Sequence, residues 1–187
     1  MAASLSRPPQ LATPRLVLRD LRLADAAAVV AGAGDPRVAQ YLIQVPSPYP
    51  VALARRWVMH RLKWWEMGRG VTFAVTLTDE PDTLIGTVSL RRYVRDRRAE
   101  LGYWLAAPGW GKGFATEAAR AAVDFGFREL GLARVYAQVL AGNRASLAVC
   151  AKLGMINEGI KRQHVHQGHR LHDVVLYGLL REEWSAR

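Results

Sequence analysis

The sequence ELGYWLAAPGWGKGFATEAARAAVDFGFREL, residues 100–130, predicts a short strand, a glycine-rich turn and a long amphipathic helix. In its second half, small and apolar residues recur three and four positions apart, which is the spacing of one helix face. Charged residues occupy the opposite face, and Gly131 supplies the stop signal. The face that we expect to be buried consists of Ala115, Ala118, Ala119, Ala122, Val123, Gly126, Phe127 and Leu130.

Three glycines, Gly109, Gly111 and Gly113, lie where the strand must turn into the helix. A backbone without Cβ atoms can direct several N–H groups at one anion, and a helix N-terminus adds a partial positive charge. The turn therefore predicts a phosphate-binding site. Glycine also serves any tight connection between a strand and a helix, so these residues alone leave both interpretations open.

The residues on either side of the glycines are more specific evidence than the glycines themselves. Residues 100–118 resemble the acetyl-CoA signature of the GNAT family of N-acetyltransferases, whose turn follows the pattern Gln/Arg-x-x-Gly-x-Gly/Ala. In this chain the turn reads WGKGFA, residues 110–115, so Trp110 stands in place of Gln or Arg. With tryptophan at this position, the turn resembles that of the RimJ/RimL-like branch of the family, which contains the ribosomal-protein N-terminal acetyltransferases. The stretches LATPRLVLRDLRLADA, residues 11–26, and DPRVAQYL, residues 35–42, resemble the opening of the same branch.

The resemblance implies a GNAT (acyl-CoA N-acyltransferase) fold of the α/β class. This fold is a mixed, mostly antiparallel sheet of about seven strands that is flanked by about four helices. The parallel strands beside the central helix are expected to splay and admit the pantetheine arm of acetyl-CoA, the implied cosubstrate.

The resemblance also implies where acetyl-CoA binds. Its pyrophosphate would lie on the backbone amides of residues 111–115, near Thr116, and its thioester carbonyl would be polarised by backbone N–H groups near Trp104 and Leu105. Its pantetheine and sulfur would meet Asn143 and Ser146. The implied cofactor-binding residues are Trp104, Leu105, Trp110, Gly111, Lys112, Gly113, Phe114, Ala115, Thr116, Asn143 and Ser146.

A second stretch, NRASLAVCAKLGM, residues 143–155, resembles the GNAT signature Asn-x-x-Ala/Ser-x-x-x-x-x-Lys-x-Gly-Phe. Helix capping explains Asn143, Ser146 at the third helical position and Gly154 equally well. Many relatives carry a tyrosine four residues after the Ala/Ser position, where it protonates the leaving thiolate, but this chain has Cys150 there. The resemblance therefore shifts the expected role at the leaving thiolate to Ser146, whose hydroxyl resembles the thiolate-stabilising serine of the RimJ/RimL-like branch. We interpret Cys150 as a buried apolar residue.

The acceptor amine must lose its proton before it can attack, so the reaction needs a base. Glu100 begins the central strand and resembles the strand glutamate that serves as base in some family members. Glu100 and Ser146 are therefore the two catalytic candidates. A simple ion pair between Glu100 and a neighbouring arginine, Arg97 or Arg98, is the structural alternative. Water or a histidine of the group at residues 164–172 is the alternative base.

Composition favours one compact domain. A loose tail is expected over residues 1–12, and the resemblance implies an acetyltransferase domain over residues 13–187. The formal charge of +10, from 26 Lys and Arg against 16 Asp and Glu, favours anionic partners such as a nucleotide, an acidic peptide or RNA. It does not choose among them, and a solvated basic surface without a dedicated partner explains it too.

The cysteine and histidine content limits which kinds of disulfide bonding, cellular compartment and metal site are expected. A single cysteine excludes an intramolecular disulfide framework and fits a reducing compartment. No secretory signal or membrane-spanning run is recognisable, so we expect a cytoplasmic protein with no membrane partner. His164, His166, His169 and His172 straddle a turn and have no cysteine beside them, so no metal site is expected.

The rest of the chain is predicted to supply the walls of the fold. The first helix is expected to end at Gly32 and Gly34, and three prolines at Pro46, Pro48 and Pro50 mark a loop. That loop and the helix after it are expected to line the acceptor site, although Trp64 and Trp65 suit the core as well. The predicted elements are strands at 15–19, 71–77, 84–93 and 133–139, helices at 23–33, 51–67 and 145–153, and a hairpin at 160–166 and 171–180 that turns at Gly168.

The function that these features favour is transfer of an acetyl group from acetyl-CoA to a primary amine, on a protein N-terminus or a small molecule. The amine is expected to attack directly in a ternary complex. Two alternatives remain, a non-catalytic acetyl-CoA-binding regulatory module and a basic protein that associates with RNA or the ribosome. A ribosomal partner and a homodimer are both left open, and no DNA partner is expected.

Overall fold

The computed structural model describes residues 7–43, 45–46, 48–167 and 170–185. None of the helices in this part of the chain has the length and apolarity that crossing a bilayer requires. Single turns of 3₁₀-helix cover Leu23–Asp25, Val94–Asp96 and Ala107–Gly109. The helices are α1 (Ala26–Ala33), α2 (Pro36–Ala39), α3 (Val51–Glu66), α4 (Phe114–Arg128), α5 (Arg144–Lys152) and α6 (Arg181–Ser185). The strands are β1 (Leu11–Ala12), β2 (Leu16–Asp20), β3 (Gly70–Leu77), β4 (Leu84–Tyr93), β5 (Arg98–Leu105), β6 (Arg134–Leu140), β7 (Ile156–Gln167) and β8 (Arg170–Leu180).

The described strands form one sheet in the order β1-β2-β3-β4-β5-β6-β8-β7. Every neighbouring pair is antiparallel except β5 and β6, which run parallel. These two strands pair only at their beginnings, where Glu100 and Tyr136 form the last matched pair. Beyond it β5 stays on β4 and β6 stays on β8, so a gap opens between them. The predicted splay is confirmed.

Helices cover both faces of the sheet. On one face α4 packs its predicted apolar stripe, including Ala118, Ala122 and Val123, against inward-facing residues of the strands such as Phe73 and Leu90. The close approach depends on Gly126, because a Cβ there would lie 2.9 Å from side-chain carbons of Leu90 and Leu132. On the other face α1 and α3 bury a second cluster, which contains Leu21, Ala26, Val29, Ala33, Ala54, Val58, Ala74 and Leu84.

The predicted fold class is confirmed, and the elements differ from expectation in a few places. Among the described residues the sheet has eight strands, because residues 11–12, which we assigned to the loose tail, pair with β2. Gly32 lies inside α1 and does not end it, whereas Gly34 is its C-cap. The short helices α2 and α6 were not predicted, because one turn is too short to show periodicity. The hairpin turn at Gly168 lies outside the described residues.

A cluster around Glu117 joins the start of β2 to α4. The carboxylate accepts hydrogen bonds from Thr13 Oγ1 at 2.7 Å, from the Arg15 backbone N–H at 3.0 Å and from Arg15 Nε at 2.8 Å. Arg15 Nη1 also donates to the carbonyl of Lys112 at 2.9 Å. Burial raises the pKa of Glu117, but the hydrogen bonds from Thr13 and Arg15 outweigh it and hold the pKa below its ordinary value. The glycine turn before α4 is therefore fastened to the edge of the sheet.

Replacing Glu117 by glutamine removes the charge and should lower the free energy of unfolding by about 1–2 kcal/mol near neutral pH. The folded-state pKa is depressed, so this contribution is present above the unfolded pKa of about 4.3 and is lost as the pH falls through the folded-state value. Urea unfolding of wild type and Glu117→Gln at pH 7 and at about pH 3 measures both effects. The exposed Glu80→Gln is the control. An equal loss in the control, or a Glu117→Gln loss that does not shrink in acid, contradicts the assignment.

Candidate functional site

A cleft of about 830 Å³ lies at the gap between β5 and β6 and extends to both faces of the sheet. One side is lined by the glycine turn and by the first turns of α4 and α5, and the other by α3 and the loop before it. The lining includes ten of the eleven implied cofactor-binding residues, namely Trp104, Leu105, Trp110, Gly111, Gly113, Phe114, Ala115, Thr116, Asn143 and Ser146.

The glycine turn has the geometry of an anion site. Gly111 and Gly113 have φ angles of +74° and +82°, in the left-handed region that residues with a Cβ rarely adopt. No side chain in the described part of the chain caps the N-terminus of α4, and the first N–H groups of a helix have no partner within it. These donors lie along the cleft. Of the eleven implied cofactor-binding residues, Lys112 is the one that does not line the cleft. Its backbone carbonyl accepts a hydrogen bond from Arg15.

Trp110 connects the turn to the central strand. Its indole Nε1–H donates to the carbonyl of Leu105 at 2.8 Å. The same side chain is 44% exposed and lines the cleft. This contact gives a physical reason for tryptophan at a position where the signature has Gln or Arg, because the indole holds the turn against the end of β5.

The end of β5 presents a backbone donor to the gap. Ala106 N–H donates to the Ile85 carbonyl on the β4 side at 2.9 Å. Donors alternate between the two edges of an antiparallel strand, so the Trp104 N–H also faces β4 and the Leu105 N–H faces the opposite edge. That edge is where β6 has diverged. Of the two implied oxyanion donors, the geometry favours the N–H of Leu105.

The start of α5 lies beside the gap. Asn143 is its N-cap, as expected, and its Oδ1 accepts a hydrogen bond from the Ser146 N–H at 3.1 Å. Gly154, with φ +72°, ends the helix, and the Met155 N–H donates to the Cys150 carbonyl. Asn143 and Ser146 therefore have capping roles and also line the cleft.

Tyr103 is a site residue that the sequence analysis missed. Its hydroxyl lies 2.8 Å from Ser146 Oγ, 3.2 Å from the Ser146 carbonyl oxygen and 3.9 Å from Cys150 Sγ. Burial, together with Cys150, raises the pKa of Tyr103 far above its ordinary value, so the hydroxyl keeps its proton. Cys150 is fully buried, as interpreted from the sequence, and burial raises the pKa of its thiol to about 11. A tyrosine hydroxyl therefore reaches Ser146 from the strand, although α5 carries cysteine where many relatives have tyrosine.

Glu100 lines the same cleft from the opposite face, because side chains three residues apart on a strand point to opposite sides. Its carboxylate accepts hydrogen bonds from Gln138 Nε2 at 3.2 Å and from the Tyr136 hydroxyl at 3.4 Å. The neighbouring arginines have other partners. Arg98 pairs with Asp96 at 3.1 Å, and Arg97 Nε donates to the Gly131 carbonyl. Among the described residues, Glu100 therefore forms no ion pair with Arg97 or Arg98.

Helix α3 and the loop before it, which we expected to line the acceptor site, both line the cleft. Helix α3 contributes Trp57, Arg61 and Trp64 to the cleft lining. Trp64 is only 8% exposed, so it belongs to the interior and to the cleft wall together. Trp65 packs against the main core, with its ring centroid 6.3 Å from that of Phe125. The loop between α2 and α3 adds Tyr41, Leu42, Ile43, Val45 and Tyr49.

The histidines of the last hairpin lie away from this site. His164 and His166 are exposed on β7, and neither lines the cleft. His172 is half-buried on β8, and His169 is outside the described residues. Within the described ranges, no group of three or more His, Cys, Asp or Glu side chains is arranged to hold a metal ion.

Comparisons with known proteins agree with this geometry. The profile of the Acetyltransferase (GNAT) domain matches residues 15–156. The N-acetyltransferase p20 of Bacillus licheniformis, itself described as uncharacterized, is 34% identical over 177 residues, covering 94% of this chain and 98% of the relative. The crystal structure of a GNAT-family acetyltransferase from Bacillus anthracis has a TM-score of 0.82 at 26% identity and covers 94% of this chain and 100% of its own.

The similar solved structures also include a member of the RimJ/RimL-like branch, which the sequence resembles. Mycobacterium smegmatis RimJ, solved in complex with CoA-disulfide, has a TM-score of 0.80 at 25% identity and covers 90% of this chain and 83% of its own. The family profile spans most of the chain, and both solved structures share the fold of this chain over at least 90% of its length. The chain therefore belongs to the GNAT family of N-acetyltransferases, is an acetyltransferase, and has RimJ/RimL-type enzymes among its structural neighbours.

Proposed function

We propose that the protein transfers the acetyl group of acetyl-CoA to a primary amine, by direct attack in a ternary complex. The observation that carries the proposal is the gap between β5 and β6, which has the uncapped N-terminus of α4 on one side and the Glu100 carboxylate on the other. Such a gap lets a donor and an acceptor approach each other from opposite faces of the sheet.

The cofactor side suits a long anionic thioester. The left-handed glycines and the free N–H groups at the start of α4 form an anion cradle for the pyrophosphate. From there the cleft continues past Asn143 to Ser146. When bound, acetyl-CoA supplies the acetyl group as an activated thioester. The chain contributes the binding surface and the placement of the carbonyl at the gap.

Three groups of the chain would serve the reaction. Glu100 takes the proton of the amine, directly or through a water, so that the nitrogen lone pair can form the new C–N bond. The Leu105 N–H donates to the carbonyl oxygen while negative charge develops on it. As the C–S bond breaks, Ser146 donates its hydroxyl proton to the sulfur and takes up the proton of Tyr103, whose hydroxyl lies 2.8 Å away. Water in the cleft, which Tyr103 lines, returns a proton to Tyr103 in the same step, so that no tyrosinate is left.

The regulatory alternative is favoured less by this arrangement. The absence of tyrosine at position 150 supported this alternative, because a protein that only binds acetyl-CoA needs no acid to protonate a leaving thiolate. Tyr103 supplies a protonated hydroxyl to the same place, next to Ser146 and Cys150. The basic charge of +10 supports an acidic partner such as the ribosome, in parallel with catalysis. RimJ stands among the structural neighbours, and we propose protein N-termini and small amines as the acceptor classes to test.

The first test of the function is calorimetry with acetyl-CoA, followed by release of free CoA in the presence of small amines and peptides with free N-termini. Binding together with CoA release for one acceptor class supports the enzyme. Binding with no release for any amine supports the regulatory module, and absence of binding overturns the proposal.

Substituting glutamate for Gly113 should abolish acetyl-CoA binding, because it puts a carboxylate and a Cβ into the anion cradle. The φ of +82° also strains any L residue by about 1–2 kcal/mol. Gly131→Glu is the matched control, since Gly131 has φ +64°, open space around its Cβ position and no place in the cleft lining. Calorimetry and thermal unfolding of both variants separate binding from strain. Wild-type affinity in a folded Gly113→Glu protein contradicts the cradle.

Neutralising the base should affect turnover and spare cofactor binding. We expect Glu100→Gln to lower kcat by about 100-fold or more, the usual contribution of a positioned base. The dissociation constant for acetyl-CoA should stay within about twofold of wild type, because Glu100 lies on the acceptor face. Steady-state kinetics and calorimetry on one protein preparation measure both. Unchanged kcat would remove Glu100 from the mechanism.

Ser146 and Tyr103 should behave as one unit. Ser146→Ala and Tyr103→Phe are each expected to lower kcat by about 10-fold or more, and the double variant should be little slower than the slower single variant. Tyr177→Phe, on a half-buried tyrosine of β8 outside the cleft lining, is the control. If the two effects multiply, the two hydroxyls act separately, and the proposed relay is wrong.

A further inference from the structure

Arg61 lies in the acceptor wall with part of its guanidinium unsatisfied. Its Nε and Nη1 are buried and have no hydrogen-bond partner among the described residues. The guanidinium carbon lies 3.7 Å from the centroid of the Trp64 ring and 5.3 Å from that of Trp57. A buried N–H without an acceptor is destabilising. This arginine is therefore held by aromatic rings at the cleft wall, where a ligand can supply the missing acceptor.

A second arginine shares the same region. Arg91 lies directly across from Glu100 in the β4–β5 register, so both side chains project from the same face of the sheet. Arg91 also lines the cleft. Burial and the positive charge of Arg91 lower the pKa of Arg61 to about 10. Arg61 thus remains protonated at neutral pH, and two like charges approach each other across the acceptor side.

The charges around the acceptor do not balance. Among the described residues that line the cleft, Glu100 is the one with a carboxylate. Each of its carboxylate oxygens already accepts a hydrogen bond from a β6 side chain. A simple alkylamine would bring another cation into a region that holds two guanidinium groups. An acceptor with its own negative group would neutralise them and would satisfy the buried N–H groups of Arg61.

We propose that the acceptor is a primary amine that also carries a carboxylate or a phosphate, which Arg61 binds with help from Arg91 while the amine faces Glu100. The planar guanidinium, fixed by Trp57 and Trp64, is suited to a bidentate contact with such a group. This inference rests on the proposed function and specifies its substrate class.

The test uses pairs of acceptors that differ only in the anion. A series of ω-amino carboxylates from glycine to 6-aminohexanoate is compared with alkylamines of the same chain length, and phosphoethanolamine with ethanolamine. Peptides that begin with Asp or Asn report on an anion carried by a protein N-terminus. We expect kcat/KM for at least one anionic member to exceed that of its partner by about tenfold or more.

Substitutions identify the residue responsible. Arg61→Met keeps an unbranched side chain between the two tryptophans and should remove the preference, chiefly by raising KM for the anionic amine. Arg61→Lys should retain part of it. Arg56→Met, on the exposed part of the same helix, should leave it intact. The inference is overturned if acceptors are turned over and no pair shows a preference, or if the preference survives in a folded Arg61→Met protein.

Binding of an anion without the amine separates this inference from the proposed function. Butyrate and inorganic phosphate are titrated calorimetrically into the protein saturated with acetyl-CoA, in wild type and in Arg61→Met. Binding in wild type that Arg61→Met loses supports the anion site, even if no acceptor is turned over. Equal turnover of charged and uncharged amines, with no binding of either anion, leaves the acetyltransferase standing and removes the anion site.

Discussion

The short parallel pairing of β5 and β6 is the constraint on which the cleft depends. Three matched residue pairs join the strands, and beyond Glu100 each strand follows a different antiparallel neighbour. Backbone N–H groups at this inner edge, such as that of Leu105, then have no strand partner across the gap. A buried backbone donor needs an acceptor. The opening therefore combines access through the sheet with unpaired hydrogen-bond donors, which is what a thioester carbonyl requires.

The glycine turn before α4, which we propose as an anion cradle, is held by contacts from distant parts of the chain. Arg15, which directly precedes β2, donates hydrogen bonds to the Lys112 carbonyl and the Glu117 carboxylate. Its guanidinium carbon also lies over the Phe114 ring, 4.8 Å from the ring centroid. On the other side the Trp110 indole bonds to the end of β5. A glycine turn without these contacts would sample many conformations, because glycine loses more backbone entropy on ordering than any other residue. The donors are thus held in place before a ligand arrives.

The sequence was sufficient to predict the fold class, the central helix, the glycine turn and the capping role of Asn143, because each depends on local periodicity or on a short motif. It did not indicate Tyr103, whose importance comes from the approach of α5 to β5 across 43 positions of sequence. It also did not distinguish Arg61 from the other arginines, since its burial depends on how α3 packs beside the loop. One-turn helices and the two-residue β1 were missed because such short segments carry no periodic signal.

Cys150 has a consequence for the oxidation chemistry of the cleft. The thiolate is the form that attacks disulfides and acyl groups, and burial raises the pKa of the Cys150 thiol to about 11, so the thiol is predominantly protonated at pH 7. The side chain is also fully buried behind Tyr103. The sole cysteine of the chain therefore lies beside Tyr103 and the cleft as a buried, protonated thiol, a state that disfavours its attack on a disulfide or a thioester.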